Sequence, residues 1–383
     1  MDFRFPDDVE RFRLEVREFL AREWHPDPAW GDTPADADRT FKRKLATKGW
    51  YALSIPKEYG GLGLPLLQQF VFHEELSYVD APGTGVGVAI VAPCLIKYGT
   101  EEIRRRFIPR IISAEIDFCL GYSEPEAGSD LAALSTTAIL DGDNFVINGQ
   151  KMFTTSAHRT EFVWLAARTD PTAVKHKGIS MLLVDIKSPG ITIRPLHAMD
   201  DTRTNVVYYD NVIVPKENLV GEINRGWYYI TTALDFERLL AFPIAGVRGI
   251  FDQIVAYVKQ TSRGGQPLKD QPEIRSKLAR LSADLEMGQL ISHQAAWKAS
   301  EGQLLSHEAA MIKTWSSELL QRTCHIGTQI LGLYGTLQYG SKYAPLQGRI
   351  ERAHRAAVMR TFGAGSNEIQ RNIIALRGLG LAR

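Results

Sequence analysis

The spacing of apolar positions changes twice along the chain, and the changes predict three regions. Val9, Phe12, Val16, Phe19 and Leu20 recur at helical intervals, so residues 8–24 should bury one face of a helix. Helix-period segments continue to about residue 117, broken by loops such as Glu58-Tyr-Gly-Gly-Leu-Gly63. From about 118 to 222 the apolar runs become short and β-rich: Phe145-Val-Ile, Ile179 to Asp185, Ile191-Thr-Ile and Val206-Val-Tyr-Tyr, separated by Gly, Pro, Asn and Asp. Asn148-Gly149, between Ile147 and Lys151, predicts a two-residue hairpin turn. After Gly226 the helical period returns. Ile274, Leu278, Leu281 and Leu285 form one stripe, and Ile312, Trp315 and Leu319 form another, with Ser306 as the expected N-cap.

Helices, then strands, then helices do not follow the alternation of a doubly wound nucleotide fold. The expected organisation is an N-terminal α-helical domain over 1–117, a middle β domain over 118–225 and a C-terminal helical bundle over 226–383. Composition narrows the function classes. Charged residues make up 23% and the net charge is +1, with both signs mixed along the chain, which argues against a nucleic-acid surface. No run of about 18 apolar residues predicts a membrane span, and the charged N-terminus lacks an apolar signal core. Cys94, Cys119 and Cys324 have no CxxC spacing and are expected to be buried free thiols in a reducing compartment, hence a cytoplasmic location.

Few motifs carry chemistry. His73-Glu74-Glu75 lacks the second histidine of a zinc helix, so no metal is expected. Gly60-Gly-Leu-Gly63 and Gly83-Thr-Gly-Val-Gly87 do not complete GxGxxG and read as turns, and no GxSxG elbow occurs. Two glycine-containing stretches remain. Gly121-Tyr-Ser-Glu-Pro-Glu-Ala-Gly-Ser-Asp130 could bring N–H groups and serine oxygens onto a flat polar ring edge, though a surface turn fits those residues equally well. Gly363-Ala-Gly-Ser366 interrupts a helical pattern and offers no reactive side chain before Glu368.

Together with Lys151-Met-Phe-Thr-Thr155, Gln329-Ile-Leu-Gly-Leu-Tyr-Gly335 and Gly363 to Arg371, the 121–130 loop resembles, in order, the motifs of the acyl-CoA dehydrogenases. The resemblance implies a middle β-barrel or sandwich domain and a C-terminal four-helix bundle. It implies FAD as cofactor, an acyl-CoA substrate and an electron-transfer flavoprotein as acceptor. On that pattern Ser123 meets the flavin pyrimidine edge, and Phe153 and Thr155 line the ring. Leu120, Tyr122, Gly128, Ser129, Gln329, Gly332, Ser366 and Glu368 complete the expected cofactor contacts. Ser129, Arg238, Gly363 and Gly365 are expected at the substrate. The implied reaction is α,β-dehydrogenation to the trans-2-enoyl-CoA, in which a carboxylate takes the α-proton and flavin N5 the β-hydride. The main-chain N–H of Ala364 would bind the thioester oxygen.

Ala364 stands where most of the family carries the catalytic Glu. A minority, resembling isovaleryl-CoA and long-chain dehydrogenases, take the base from a helix written here Leu234-Asp-Phe-Glu-Arg-Leu-Leu240, which places Glu237 in that role, with Leu234, Phe236, Leu240 and Phe242 as a desolvating wall. Glu368 is the competitor, but it falls in a first helical turn where Asn367 and Gln370 read as a capping pair. Small residues at 363–365 imply room for a branched, alicyclic or steroid-like acyl group. Two features depart from the family's homotetramer. The arginine that clasps a neighbour's FAD pyrophosphate is displaced to Arg263, and Leu333 replaces a glycine. Lys175-His-Lys-Gly-Ile-Ser180, Thr361-Phe-Gly-Ala-Gly365 and Glu237 resemble the catalytic subunits of bacterial steroid side-chain dehydrogenases, which are heterotetramers, so a homotetramer and a heterotetramer with a related subunit both stay open. An acyl-CoA oxidase and a non-catalytic partner subunit are the alternative functions.

Overall fold

The computed structural model of the chain describes residues 4–25, 35–231, 243–303, 305 and 307–382. Two units emerge from the chain's contacts, one from residues 1–33, 65–83 and 238–383, the other from 34–64 and 84–237. Ser306, Glu237, Arg238 and the apolar wall around Glu237 lie outside the described residues.

The first unit is helical. Helix α1 (Asp7–Glu23) begins with Asp7, Asp8 and Glu10 and carries Arg22 in its last turn, the charge order that its dipole favours. Its predicted face is the buried one: Val9, Val16, Phe19 and Leu20 are enclosed, and Phe12 packs partly against Val9, Phe70 and Val71. Helix α3 (Leu66–Tyr78) belongs to this unit, with α6 (Ile244–Gln260), α7 (Pro272–Ser300), α8 (His307–Leu331), α9 (Arg349–Arg360) and α10 (Asn367–Ile373). Helix α8 packs against α6, α7, α9 and α10. Both predicted stripes face inward. Ile274, Leu281, Leu285, Ile312 and Leu319 are buried, and the half-buried Trp315 donates its indole N–H to the Asp284 carbonyl at 3.1 Å. Full burial of each such aliphatic side chain contributes about 1.5–3 kcal/mol.

The second unit holds α2 (Ala35–Thr47), α4 (Ala92–Tyr98) and α5 (Glu101–Ile112), the last capped by Thr100 Oγ1 accepting from Ile103 N at 3.3 Å. Its eight strands are β1 (Phe118–Gly121), β2 (Thr137–Asp141), β3 (Asn144–Lys151), β4 (Phe162–Arg168), β5 (Ile179–Asp185), β6 (Ile191–His197), β7 (Arg203–Pro215) and β8 (Leu219–Val220). They run in the order β6-β7-β3-β2-β4-β5-β8, with β1 added parallel to β4. β2 and β4 share one residue pair, Thr137 with Arg168. That seam divides the sheet into halves whose inner faces share one core: Phe145, Ile147, Val207 and Val214 from one half, Val163, Leu165, Leu182 and Val184 from the other. The three cysteines are free and buried, as their spacing suggested.

One predicted turn is elsewhere. The β2–β3 hairpin closes at Gly142-Asp143, where Gly142 has φ 58°, while Asn148-Gly149 lies inside β3. The β3–β7 register shifts between Ile147 and Gly149, where Asp210 and Asn211 of β7 oppose the single Asn148, so the extra residue of the bulge lies in β7. A Cβ at Gly149 would sit 2.7 Å from Thr136 Oγ1, so close approach rather than a reverse turn requires the glycine. Gly61 is similar: its Cβ would fall 2.1 Å from the Ile55 carbonyl oxygen, which fits a packed turn.

Candidate functional site

In the second unit, β1 delivers the chain into the 121–130 loop. Gly121 is required there because a Cβ would press to 2.8 Å on Val163. The Tyr122 hydroxyl accepts from Trp164 Nε1 at 2.9 Å, and the Ser123 carbonyl accepts from Met152 N at 2.8 Å. The side chain of Ser123 is half-buried, whereas Gly128 and Ser129 are exposed with open space beside Gly128.

A buried ion pair that the sequence reading missed holds this loop. Lys151 Nζ donates to Glu124 Oε1 at 2.7 Å and to the Tyr122 carbonyl at 3.0 Å, with both side chains almost fully enclosed. Glu124 also accepts from Ser135 N, Ser135 Oγ and Thr136 N at 2.6, 2.7 and 2.9 Å. Burial alone would raise the Glu124 pKa, but Lys151 and these donors hold it down to about 2. Burial lowers the Lys151 pKa to about 8 against the pull of Glu124, so both groups are charged at neutral pH. The available signal was parity. Lys151 ends a strand whose Phe145 and Ile147 point inward, and a lysine there needs a buried partner.

Past β3 the backbone is strained. Phe153 has φ 56° and Ser156 φ 67°, left-handed values that cost L-residues about 1–2 kcal/mol each. The fold nonetheless leaves the Phe153 ring 60% exposed. Its neighbours are fixed: Thr154 N donates to the Asn205 carbonyl at 2.9 Å, Asn205 Nδ2 returns to the Thr154 carbonyl at 3.0 Å, and Thr155 and Thr204 hydroxyls pair at 3.2 Å. Leu120, Phe153 and Thr155 come together on a cavity of about 270 Å³, which Ser123, Gly128 and Ser129 do not line. Charged residues of α2 and of the segments around 117 and 161 also line it. Lys42 pairs with Asp38 and Asp117, and Arg39 with Glu161.

In the first unit, residues 361–367 form a bend between α9 and α10. Ala364 has φ 54° and Gly365 φ 88°. Gly363 cannot carry a Cβ without pressing to 2.8 Å on Met359 Sδ. The Asn367 N–H closes the bend on the Thr361 carbonyl at 2.8 Å. Ala364 is exposed, and among the described residues its N–H has no hydrogen-bond partner. The cap of α10 corrects the sequence expectation. Ser366 Oγ accepts from Ile369 N at 3.3 Å, while Asn367 is buried and Gln370 makes no capping bond. A serine one residue earlier reaches the N3 amide, which frees Asn367 to face α8. Glu368 is exposed in the first turn of α10, and its carboxyl is held below the usual range by its own N–H and by Ser366.

Arg263, Gln329 and Gly332 are brought together at the C-terminal end of α8. Arg263 Nη2 donates to the Ile330 carbonyl at 2.6 Å, where a cation also suits the helix dipole. Gly332, at φ 69°, leaves space 3.1 Å from that nitrogen. Gln329 accepts from Lys277 Nζ at 3.1 Å. Next to them Leu333 is 91% exposed.

Three family profiles match the chain: acyl-CoA dehydrogenase N-terminal domain over residues 6–115, middle domain over 119–212 and C-terminal domain over 224–379. Acyl-CoA dehydrogenase FadE26 of Mycobacterium tuberculosis is 36% identical over 100% of this chain and 99% of its own length. FadE29 of the same organism is 36% identical over 98% and 97%. Among solved structures, the ChsE4–ChsE5 complex from Mycobacterium tuberculosis superposes with TM-score 0.93 at 38% identity, and the Tcur3481–Tcur3483 steroid ACAD with 0.92 at 35%. Each covers 100% of both chains.

Proposed function

Because the chain belongs to the acyl-CoA dehydrogenase family, we propose that it desaturates a bulky acyl-CoA thioester, branched, alicyclic or steroid-derived, between its α and β carbons. The observation that carries this reading is the Ala364 bend, whose main-chain N–H has no hydrogen-bond partner among the described residues and can serve a thioester oxygen, while position 364 itself carries no carboxylate. A proton acceptor must then come from another element. Glu368 is poorly suited, being exposed and held acidic by hydrogen bonds to its ionised form. We therefore assign α-proton removal to Glu237, supported by the Leu-Asp-Phe-Glu-Arg-Leu sequence around it.

The family's members are FAD flavoproteins, and the residues of the second unit suit a flat ring. Phe153, at a strained backbone position, stands exposed on the cavity that Leu120 and Thr155 also line, and the 121–130 loop that leaves β1 is braced by a buried ion pair. Tyr122, Ser123, Gly128, Ser129, Phe153 and Thr155 would hold the cofactor there. Bound FAD supplies the two-electron acceptor for the β-hydride. This chain's residues do the rest: Glu237 removes the proton and the Ala364 N–H stabilises the charge that develops on the thioester oxygen. Electron-transfer flavoprotein is the acceptor we favour.

The substrate reading draws support from relatives described as steroid dehydrogenases and from the small residues at 363–365. The ChsE4–ChsE5 relative is a complex and the Tcur3481–Tcur3483 relative is named for two components, and Leu333 and the engaged Arg263 alter the half-site that a subunit would offer its neighbour. We read the assembly as a heteromer with a related subunit. A stable, FAD-loaded homotetramer of this chain alone would refute that part.

The central test is anaerobic bleaching of the flavin by a panel of acyl-CoA esters, comparing wild type with Glu237→Gln. Loss of a general base predicts a fall of about 10²–10⁴-fold. Bleaching at the wild-type rate would remove Glu237 from the mechanism.

A further inference from the structure

Lys313 is completely buried in α8, within a helix whose other enclosed positions are small or apolar. Its Nζ donates to the Thr361 carbonyl at 3.0 Å and to Asn367 Oδ1 at 2.7 Å. Those two residues are the neck of the bend, since the Thr361 carbonyl also accepts from Asn367 N at 2.8 Å. Asn367 Nδ2 is turned toward Ser317 Oγ and Glu318 Oε1, both at 3.1 Å, and Glu318 is also paired with Arg371. One ammonium thus ties both ends of the bend to the same helix.

The bend has two parts with different needs. Within it, Phe362 N and Gly363 N donate to the Met359 carbonyl at 3.2 and 2.8 Å, which carries the α9 turn onward. Beyond Gly363, the left-handed Ala364 and Gly365 have no hydrogen bond of their own among the described residues. Their direction depends on how firmly the neck is held. Burying an ammonium is costly, and an apolar residue of similar volume would avoid that cost. The retained charge therefore suggests a use in fixing position.

We propose that Lys313 is a positioning residue for the thioester-binding amide of Ala364, acting by clamping Thr361 and Asn367 so that the N–H keeps one direction. The inference rests on the role of Ala364 given under Proposed function. It predicts that loss of the clamp weakens recognition of the carbonyl oxygen and leaves the rest of the ligand's binding intact.

The test compares two unreactive ligands of the flavin-loaded enzyme by calorimetry: a 3-thia-acyl-CoA, which keeps the thioester carbonyl, and the matching S-alkyl-CoA thioether, which lacks it. Lys313→Met should weaken the carbonyl-bearing ligand by about 10–100-fold, the range for a misplaced hydrogen bond to a charge-bearing oxygen, and the thioether by less than about 3-fold. Hydrogen exchange of the 361–367 segment should accelerate in the unliganded protein. Equal weakening of both ligands, or of neither, would overturn the proposal, because a merely structural lysine would not separate them. Should Lys313→Met fail to fold, Asn367→Ala removes one acceptor while keeping the Thr361 bond, and the same two ligands decide in the same way. A wild-type enzyme with no preference for the carbonyl-bearing ligand would instead refute the role of Ala364 itself.

Discussion

Replacing Lys151 by Met isolates the Glu124 carboxylate in the interior and tests whether the ion pair braces the 121–130 loop. Removing one partner of a buried pair costs about 3–5 kcal/mol, because the other charge is left uncompensated. Glu124 would keep Ser135 N, Ser135 Oγ and Thr136 N, so the lower end, about 3 kcal/mol, is expected. The unit that holds the pair has roughly 185 residues. For a body of that size 1 kcal/mol moves the melting midpoint by about 2–4 °C, so the variant should melt about 6–12 °C lower in calorimetry. Acid sensitivity should change as well. The Glu124 carboxyl, at about 2 when folded against an ordinary 4.5, contributes stability that is present above pH 4.5 and lost as pH falls through about 2. Without Lys151 that folded value rises, and acid unfolding begins at higher pH. The double variant Glu124→Gln/Lys151→Met removes both charges and should recover part of the loss. A single variant melting within about 2 °C of wild type, or a double variant less stable than the single, would refute the reasoning. Retained flavin absorbance after gel filtration reports separately on whether the loop still holds its cofactor.

Burial pushes the thiols of Cys94, Cys119 and Cys324 up to about 12, so all three should resist alkylation by iodoacetamide at pH 8 and react only after unfolding, as counted by mass spectrometry. Ala364→Gly relieves a side chain held at φ 54° and should be neutral to about 1 kcal/mol stabilising by thermal melting, while the looser bend lowers turnover about 3–10-fold. A clear loss of stability would show that the Ala364 methyl group contributes packing that the exposed bend does not suggest.

Much of the architecture was legible because periodicity reports which side chains face a core. The α1 and α8 stripes and the β7 run bury one face, while the continuous apolar run of β5 is enclosed on both. Errors arose where local chemistry has two uses. Asn148-Gly149 reads as a turn, yet its glycine answers the approach of Thr136, a contact made by a residue thirteen positions earlier in the chain. Asn367 reads as a cap, yet Ser366 reaches the amide first and Asn367 is drawn to Lys313. The two buried lysines escaped notice because a charge is expected at the surface, and only the fold reveals Glu124 or Asn367 as the partner. The motif residues of the 121–130 loop were found by resemblance. Their support was not, because Lys151 and Glu124 are distant in sequence and joined only by the sheet.

If Ala364 acts as proposed, the bend at 361–367 also separates reactivity from selectivity. An amide is common to every residue except proline, so the hydrogen-bond donor survives changes in the side chain at position 364. A side chain at Gly363 is more constrained, since its Cβ would fall 2.8 Å from Met359 Sδ and that side chain would have to shift. On the role proposed for Ala364, position 364 is thus a place where evolution, or an engineer, can reshape the acyl pocket through one short polar substitution compatible with a left-handed backbone, such as asparagine, and leave the reaction's electrostatics in place.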